Sequence, residues 1–187
     1  MYTLRTLVFA TMAAMTVGSV TAADTDATKM FDPMAQAEKL VVSIEMLGEK
    51  GNTAAGDVVV VKTPYGLAFY PNLKGLQPGL HGFHVHANGD CGPTEKGLGM
   101  KAGGHWDPAN TGKHSFPWDD GGHKGDLPSL FVDQDGNATV PVLAPKLKDL
   151  NELKGHALMV HMGGDNFHDH PKALGGGGAR MACGVMK

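Results

Sequence analysis

The sequence predicts an all-β domain of about eight short antiparallel strands, folded as a sandwich or barrel and interrupted by two long loops. Three observations carry this. From Lys39 onward the apolar residues come in short runs bounded by Gly and Pro, the pattern of strands joined by turns. No stretch has the spacing of a convincing amphipathic helix, and only 148–153 would make one turn. Two segments, 88–128 and 163–178, break the strand rhythm and are rich in Gly, His and Asp. A structureless loop of about 40 residues is unusual in a compact domain unless it has a function.

Taken in order, residues 1–22 read as a secretory signal. Arg5 supplies the positive charge, Leu7 to Val17 is mostly apolar, and Val20-Thr21-Ala22 leads to cleavage after Ala22 or Ala23. The apolar run is too short and too broken by Thr and Gly to span a bilayer. No Cys stands near the junction to carry a lipid, so a soluble exported product is expected. Residues 23–38 form a flexible leader without clear periodicity. In it Met30 and Met34 could bind soft Cu(I), but read better as packing residues. The domain proper is 39–187. Its strands are 40–47, 58–62, 65–70 and 81–87, then 129–132 and 138–143 as a hairpin around Asp135-Gly136, then 156–162 and 179–185.

Composition narrows the function. The 187 residues suit one domain with a real core. Loss of residues 1–22 removes one cation, Arg5, and moves the formal charge from −3 to −4. A mildly acidic chain without a basic stripe is a poor ligand for nucleic acid. The two cysteines, Cys91 and Cys183, favour a disulfide in an exported chain.

Seven metal-ligand side chains need a reason. His84, His86, His105, His114, His123 and Asp126 lie within one Gly-rich stretch, and His161 follows. Neutral imidazole is the commonest metal ligand among side chains. In a strand, residues i and i+2 point the same way, so His84 and His86 share a face while Phe83 and Val85 turn to the core. His161, in another strand, can come from beside them. His105, His114, His123 and Asp126 make three imidazoles and a carboxylate, a closed set suited to zinc. Gly103-Gly104, Gly112 and Gly121-Gly122 precede the three histidines and let the backbone fold tightly. His81 and His156 read as ordinary polar residues, and His168 and His170 as solvated loop residues that could capture a stray zinc or another cofactor. Asp133, Asp135 and Asn137 do not make a calcium loop, because Gly136 is misplaced for one. Glycines 175–178 lack the Lys-Ser/Thr of a phosphate loop.

The motifs HGFHVH (81–86), GGHWDP (103–108), GHKGDLP (122–128), HMGGDN (161–166) and GGGGARMACGV (175–185) resemble the copper,zinc superoxide dismutase family, most closely its bacterial exported branch. The resemblance covers about 39–187. It implies an eight-stranded Greek-key β-barrel and a periplasmic location. It also implies one copper per subunit on His84, His86, His105 and His161, and one zinc on His105, His114, His123 and Asp126, with His105 bridging. By the same resemblance Arg180 stands beside copper and orients superoxide. His105 carries the proton that ends on peroxide. Asp165 links a copper ligand to a zinc ligand, His84 to His114. Only thirteen residues, 92–104, separate Cys91 from His105. That loop contributes to subunit contact in the bacterial branch, so the shortening leaves a homodimer open. The resemblance implies neither a membrane nor a nucleic-acid partner. The rival reading is a periplasmic copper/zinc binding or storage protein without turnover. A zinc hydrolase fits less well, since the chain has no His-Glu-x-x-His and no free general base near the ligands.

Overall fold

The computed structural model describes residues 31–187; the expected secretory signal and most of the expected leader lie outside the described residues. Nine strands are present among them: β1 (Lys39–Met46), β2 (Thr53–Thr63), β3 (Gly66–Leu73), β4 (Gly79–His81), β5 (Phe83–His86), β6 (Leu130–Val132), β7 (Val142–Ala144), β8 (Ala157–His161) and β9 (Arg180–Val185). The described helical turns are short 3₁₀ pieces at Pro33–Ala35, Met100–Ala102, Leu150–Leu153 and Ala173–Gly176. The turn expected near 148–153 is capped by Asp149, whose carboxylate accepts from Asn151 while Glu152 reaches back to the Asp149 N–H.

The strands form a curled antiparallel sheet in the order β5-β8-β9-β1-β2-β3-β7, with β4 and β6 as a separate pair. Strand β1 shows why the sheet curls around a core. Val42 and Ile44 are buried, whereas Val41, Ser43 and Glu45 on the other face are exposed. The same inward residues recur on every strand but β4: Val58 and Val60, Leu67 and Phe69, Phe83 and Val85, Leu130 and Val132, Ala144, Leu158 and Val160, and Ala182. Phe69 meets Phe83 edge-on at 5.9 Å between ring centroids, a contact worth about 0.5–1.5 kcal/mol beyond the area it buries.

Two expectations are corrected. The run 81–87 is two strands, broken at Gly82: β4 pairs with β6 and β5 with β8. The expected hairpin of 129–132 with 138–143 does not form. Its turn exists, with the Asp133 carboxylate accepting from the N–H groups of Asp135 and Asn137. But β6 pairs with β4, and β7 pairs with β3. A good local turn was outbid by partners that bury more apolar surface.

The long segment 88–128 is not loose. It runs back along β5, which has β8 on its other side. Isolated bridges join His86 to His105 and His84 to Asp126. Gly125 sits where a Cβ would meet the Val85 carbonyl at 2.2 Å, so only glycine lets this chain lie so close. The Cys91–Cys183 disulfide ties the segment to β9.

Candidate metal centre

Strand β5 presents His84 and His86, and the neighbouring β8 presents His161. The 88–128 segment, pinned along β5, brings His105 in beside them. The ligand atoms of His84, His86, His105 and His161 lie within 4.8 Å of one another, all buried. Nε2 of His86 and Nε2 of His161 face each other at 3.2 Å. His84, His105, His114 and Asp126 make a second buried group of the same tightness. Asp126 Oδ1 is its centre, with Nδ1 of His105 at 2.9 Å, of His114 at 2.9 Å and of His123 at 3.3 Å. Ligands about 2.0–2.1 Å from a tetrahedral zinc stand about 3.3 Å apart, which these separations approach.

The residues present fit two ions. Among the described residues, the buried Nδ1 of His84 and Nε2 of His105 have no hydrogen-bond partner, and Nδ1 of His114 makes no aligned hydrogen bond although Asp126 Oδ1 is 2.9 Å away. Leaving such atoms bare in the interior is costly, and each points into one of the two groups. The far nitrogens, by contrast, are held. Nε2 of His84 and of His114 donate to the two oxygens of Asp165 at 2.7 and 2.8 Å. Nδ1 of His86 donates to the Gly103 carbonyl at 2.9 Å, and Nδ1 of His161 to that of Gly178 at 3.1 Å. A proton fixed on one nitrogen leaves the lone pair of the other free for a metal.

Electrostatics agree. Burial, and after it the neighbouring imidazoles, press the pKa of His84 and of His86 well below the ordinary value. Burial likewise lowers His105, and lowers His161 to about 4. These rings are neutral near pH 7 and able to ligate. His114 differs. Burial would lower it too, but Asp126 and Asp165 on its two sides push it up to about 9. Burial would raise the Asp126 carboxyl, yet three histidines hold it far below the usual range. Asp165 is lowered in the same way, by His114 and His84.

Arg180 opens β9 beside this cluster. Its guanidinium donates to the Gly99 and Gly103 carbonyls. It lines an open cavity of about 500 Å³ with Thr94, Glu95, Lys96, Met100, Gly103 and Gly104. A guanidinium stays charged at any working pH.

All the side chains singled out as ligands thus come together, with Asp165 between them. Gly175 shows how closely: with φ +71°, a Cβ there would meet Asp165 Oδ1 at 2.0 Å and His114 Nε2 at 2.8 Å. His168 and His170 are exposed and outside the centre, and Nδ1 of His168 is used to accept from the His170 N–H. Met34 is also exposed. His81 is more than an ordinary polar residue, being buried, with its ring nitrogens 2.9 Å from the His161 carbonyl and 2.7 Å from that of Gln77. The sequence reading also missed the Gly103 and Gly178 carbonyls, which no side-chain motif can announce. It missed Lys146 too, which looks like any surface lysine in the sequence.

An all-β scaffold on which a four-imidazole group and a three-imidazole, one-carboxylate group share His84 and His105 defines the ligand set of a two-metal protein. The comparisons name the family. Residues 54–186 match the model for copper/zinc superoxide dismutase (SODC). The chain is 58% identical over 155 residues to a copper–zinc superoxide dismutase of Actinobacillus pleuropneumoniae, covering 80% of this chain and 82% of that protein. Among solved structures it superposes on the Cu/Zn superoxide dismutase from Brucella abortus with a TM-score of 0.77 at 48% identity, covering 80% of this chain and all of that one. The monomeric copper, zinc superoxide dismutase from Salmonella enterica gives 0.71 at 52% identity, with coverage of 80% and 100%. The chain belongs to the copper/zinc superoxide dismutase family.

Proposed function

We propose that this chain disproportionates superoxide to O₂ and H₂O₂, with copper and zinc as its metals. The observation that carries the reading is the double engagement of His105. Its Nδ1 lies 2.9 Å from Asp126 Oδ1 in one ligand group, and its Nε2 is buried and unpartnered in the other. We assign copper to His84, His86, His105 and His161, and zinc to His105, His114, His123 and Asp126. Four nitrogens suit Cu(II), and an N₃O set suits zinc.

Copper, when bound, supplies the one-electron couple: one superoxide is oxidised to O₂ and a second is reduced to peroxide. The chain's residues do the rest. Nε2 of His105 takes up a proton in one half-reaction and delivers it to the departing peroxide in the other, where a second proton from solvent completes H₂O₂. Its Nδ1 stays with the Asp126 group, which holds the ring in place. Arg180, fixed by two carbonyls at the rim of the cavity, draws a small anion in and orients it. Asp165 keeps the copper and zinc halves in register through His84 and His114.

The test is the decay of a superoxide pulse with copper- and zinc-loaded protein, beside the zinc-only form. Catalytic decay that needs copper supports the reading. Stoichiometric loss with both metals bound would make the chain a metal-binding or storage protein instead.

Two further parts of the reading are export to the periplasm, with cleavage after residue 22 or 23, and a homodimer. For the first, N-terminal sequencing of the protein from a periplasmic fraction decides. For the second, the supporting feature is an exposed aromatic stack, with Trp118 5.1 Å from Phe116 between ring centroids, a surface suited to self-association. Sedimentation equilibrium that finds only monomer would end that part.

A further inference from the structure

Between Trp106 and Leu127 the chain has little apolar anchorage. Its buried side chains are His114, Ser115, His123 and Asp126, with Pro117 the one apolar member. Something else must hold this segment. Lys146 enters from the turn after β7. Its neighbours Ala144 and Leu147 are fully buried, and the Leu147 carbonyl accepts from Leu67 of β3 at 3.0 Å. The lysine therefore stands on a rigid base.

Its ammonium donates to three backbone carbonyls of the zinc-side segment: Phe116 at 3.3 Å, Asp119 at 3.3 Å and His123. An ammonium has three donors, and here each has an acceptor. Each of those carbonyls also accepts from the N–H three residues on: Asp119 to Phe116, Gly122 to Asp119 and Asp126 to His123. The chain thus makes three turns in succession, and all three turn their carbonyls to one positive charge. A bound metal cation gathers backbone oxygens in the same manner. Burial lowers the lysine's pKa, and the carboxylates of Asp126, Asp119, Asp120 and Asp107 oppose that.

We propose that Lys146 is a positioning residue for zinc, a half-buried cation around which residues 116–126 wind, so that His123 and Asp126 stand ready before the ion arrives. The proposal rests on the assignment of zinc to His105, His114, His123 and Asp126. The last of the three turns starts at His123 and ends at Asp126, both in that set, which is how a charge outside the site can govern it.

The experiment is zinc transfer to a chelator of known affinity from the zinc-loaded full chain, wild type against Lys146→Met. Methionine keeps the length and removes all three donors. The variant is expected to hold zinc about 10- to 100-fold less tightly, the usual effect of losing an outer partner of a ligand. Cobalt placed in the zinc site should show a changed visible spectrum in the variant. A folded variant whose zinc affinity lies within about twofold of wild type would overturn the proposal and make Lys146 a fold anchor only. Wild type that binds no zinc at these residues would overturn the site assignment itself, a distinct result. Should Lys146→Met fail to fold, hydrogen exchange on the metal-free wild type decides. Protected amides at Asp119, Gly122 and Asp126 support pre-organisation, and exchange there at the free-chain rate removes it.

Discussion

At the scale of single residues, the centre depends on atoms that hold ligands rather than on the ligands alone. Asp165 is the clearest case, because each of its oxygens holds one histidine from a different metal group. Asp165→Ala should therefore weaken both metals together, by about 10- to 100-fold each, measured by competition with chelators. Loss at one site alone would show that the bridge does not couple them. Arg180→Ala makes the opposite prediction: both metals retained, the reaction with superoxide about tenfold slower, and its salt dependence flattened. Steering by a surface charge has this order of size, and the family is itself an example of that effect. An unchanged rate would leave Arg180 as a clasp on the Gly99 and Gly103 carbonyls. The ligands were legible because chemistry demands particular side chains: His84 and His86 by strand parity, and His105, His114, His123 and Asp126 by their Gly-spaced cluster. The carbonyls of Gly103 and Gly178, and the ammonium of Lys146, were not, since backbone oxygens and a lone lysine carry no distinctive signal.

At the scale of elements, the fold class was legible and the pairing was not. Short apolar runs between Gly and Pro gave the strands to within a few residues. Yet β6 and β7, read as partners across Asp135-Gly136, pair with β4 and β3. Turn chemistry is local, whereas pairing is decided by which faces bury Leu130, Val132 and Ala144 in the common core. The disulfide is an element-scale device of the same long-range kind. Cys91 and Cys183 are 92 residues apart, and in the loop-entropy model such a link is worth on the order of 4–5 kcal/mol. It also packs, through Cys183, against Ala102, Ala157 and Met159, joining the 88–128 segment to β8 and β9. Cys91→Ser with Cys183→Ser should lower the unfolding free energy of the metal-free chain by an amount of that order, seen as a lower urea midpoint. The slope should be unchanged or steeper, as the unfolded chain expands. A midpoint equal to that of the oxidised protein would mean that the packing, and not the link, holds the segment.

At the scale of the whole molecule, burying His84, His86, His105 and His161 ties stability to pH. In the metal-free chain the folded pKa values of His84, His86 and His105 are lowered, and that of His161 falls to about 4, from an ordinary 6.5. The unfolded chain then binds more protons than the folded one below about pH 6.5. Stability must fall as the pH drops through that value, and for His161 it goes on falling to about 4. The lowered carboxyls of Asp126 and Asp165 act in the same direction, their stabilisation being present above the usual carboxylate range and lost below it. His114 works the other way. With a folded value of about 9, its contribution is full below about pH 6.5 and is lost as the pH rises through 9. The metal-free protein should thus be most stable near neutrality, with the steeper loss on the acid side, where more groups act together. Urea unfolding at about pH 9, 7, 5 and 4 measures this directly. Bound copper and zinc compete with protons for the same nitrogens as the pH falls, so the acid limb should move to lower pH once the ions are in place. An acid limb at the same pH with and without metals would mean that the buried histidines are not the ligands.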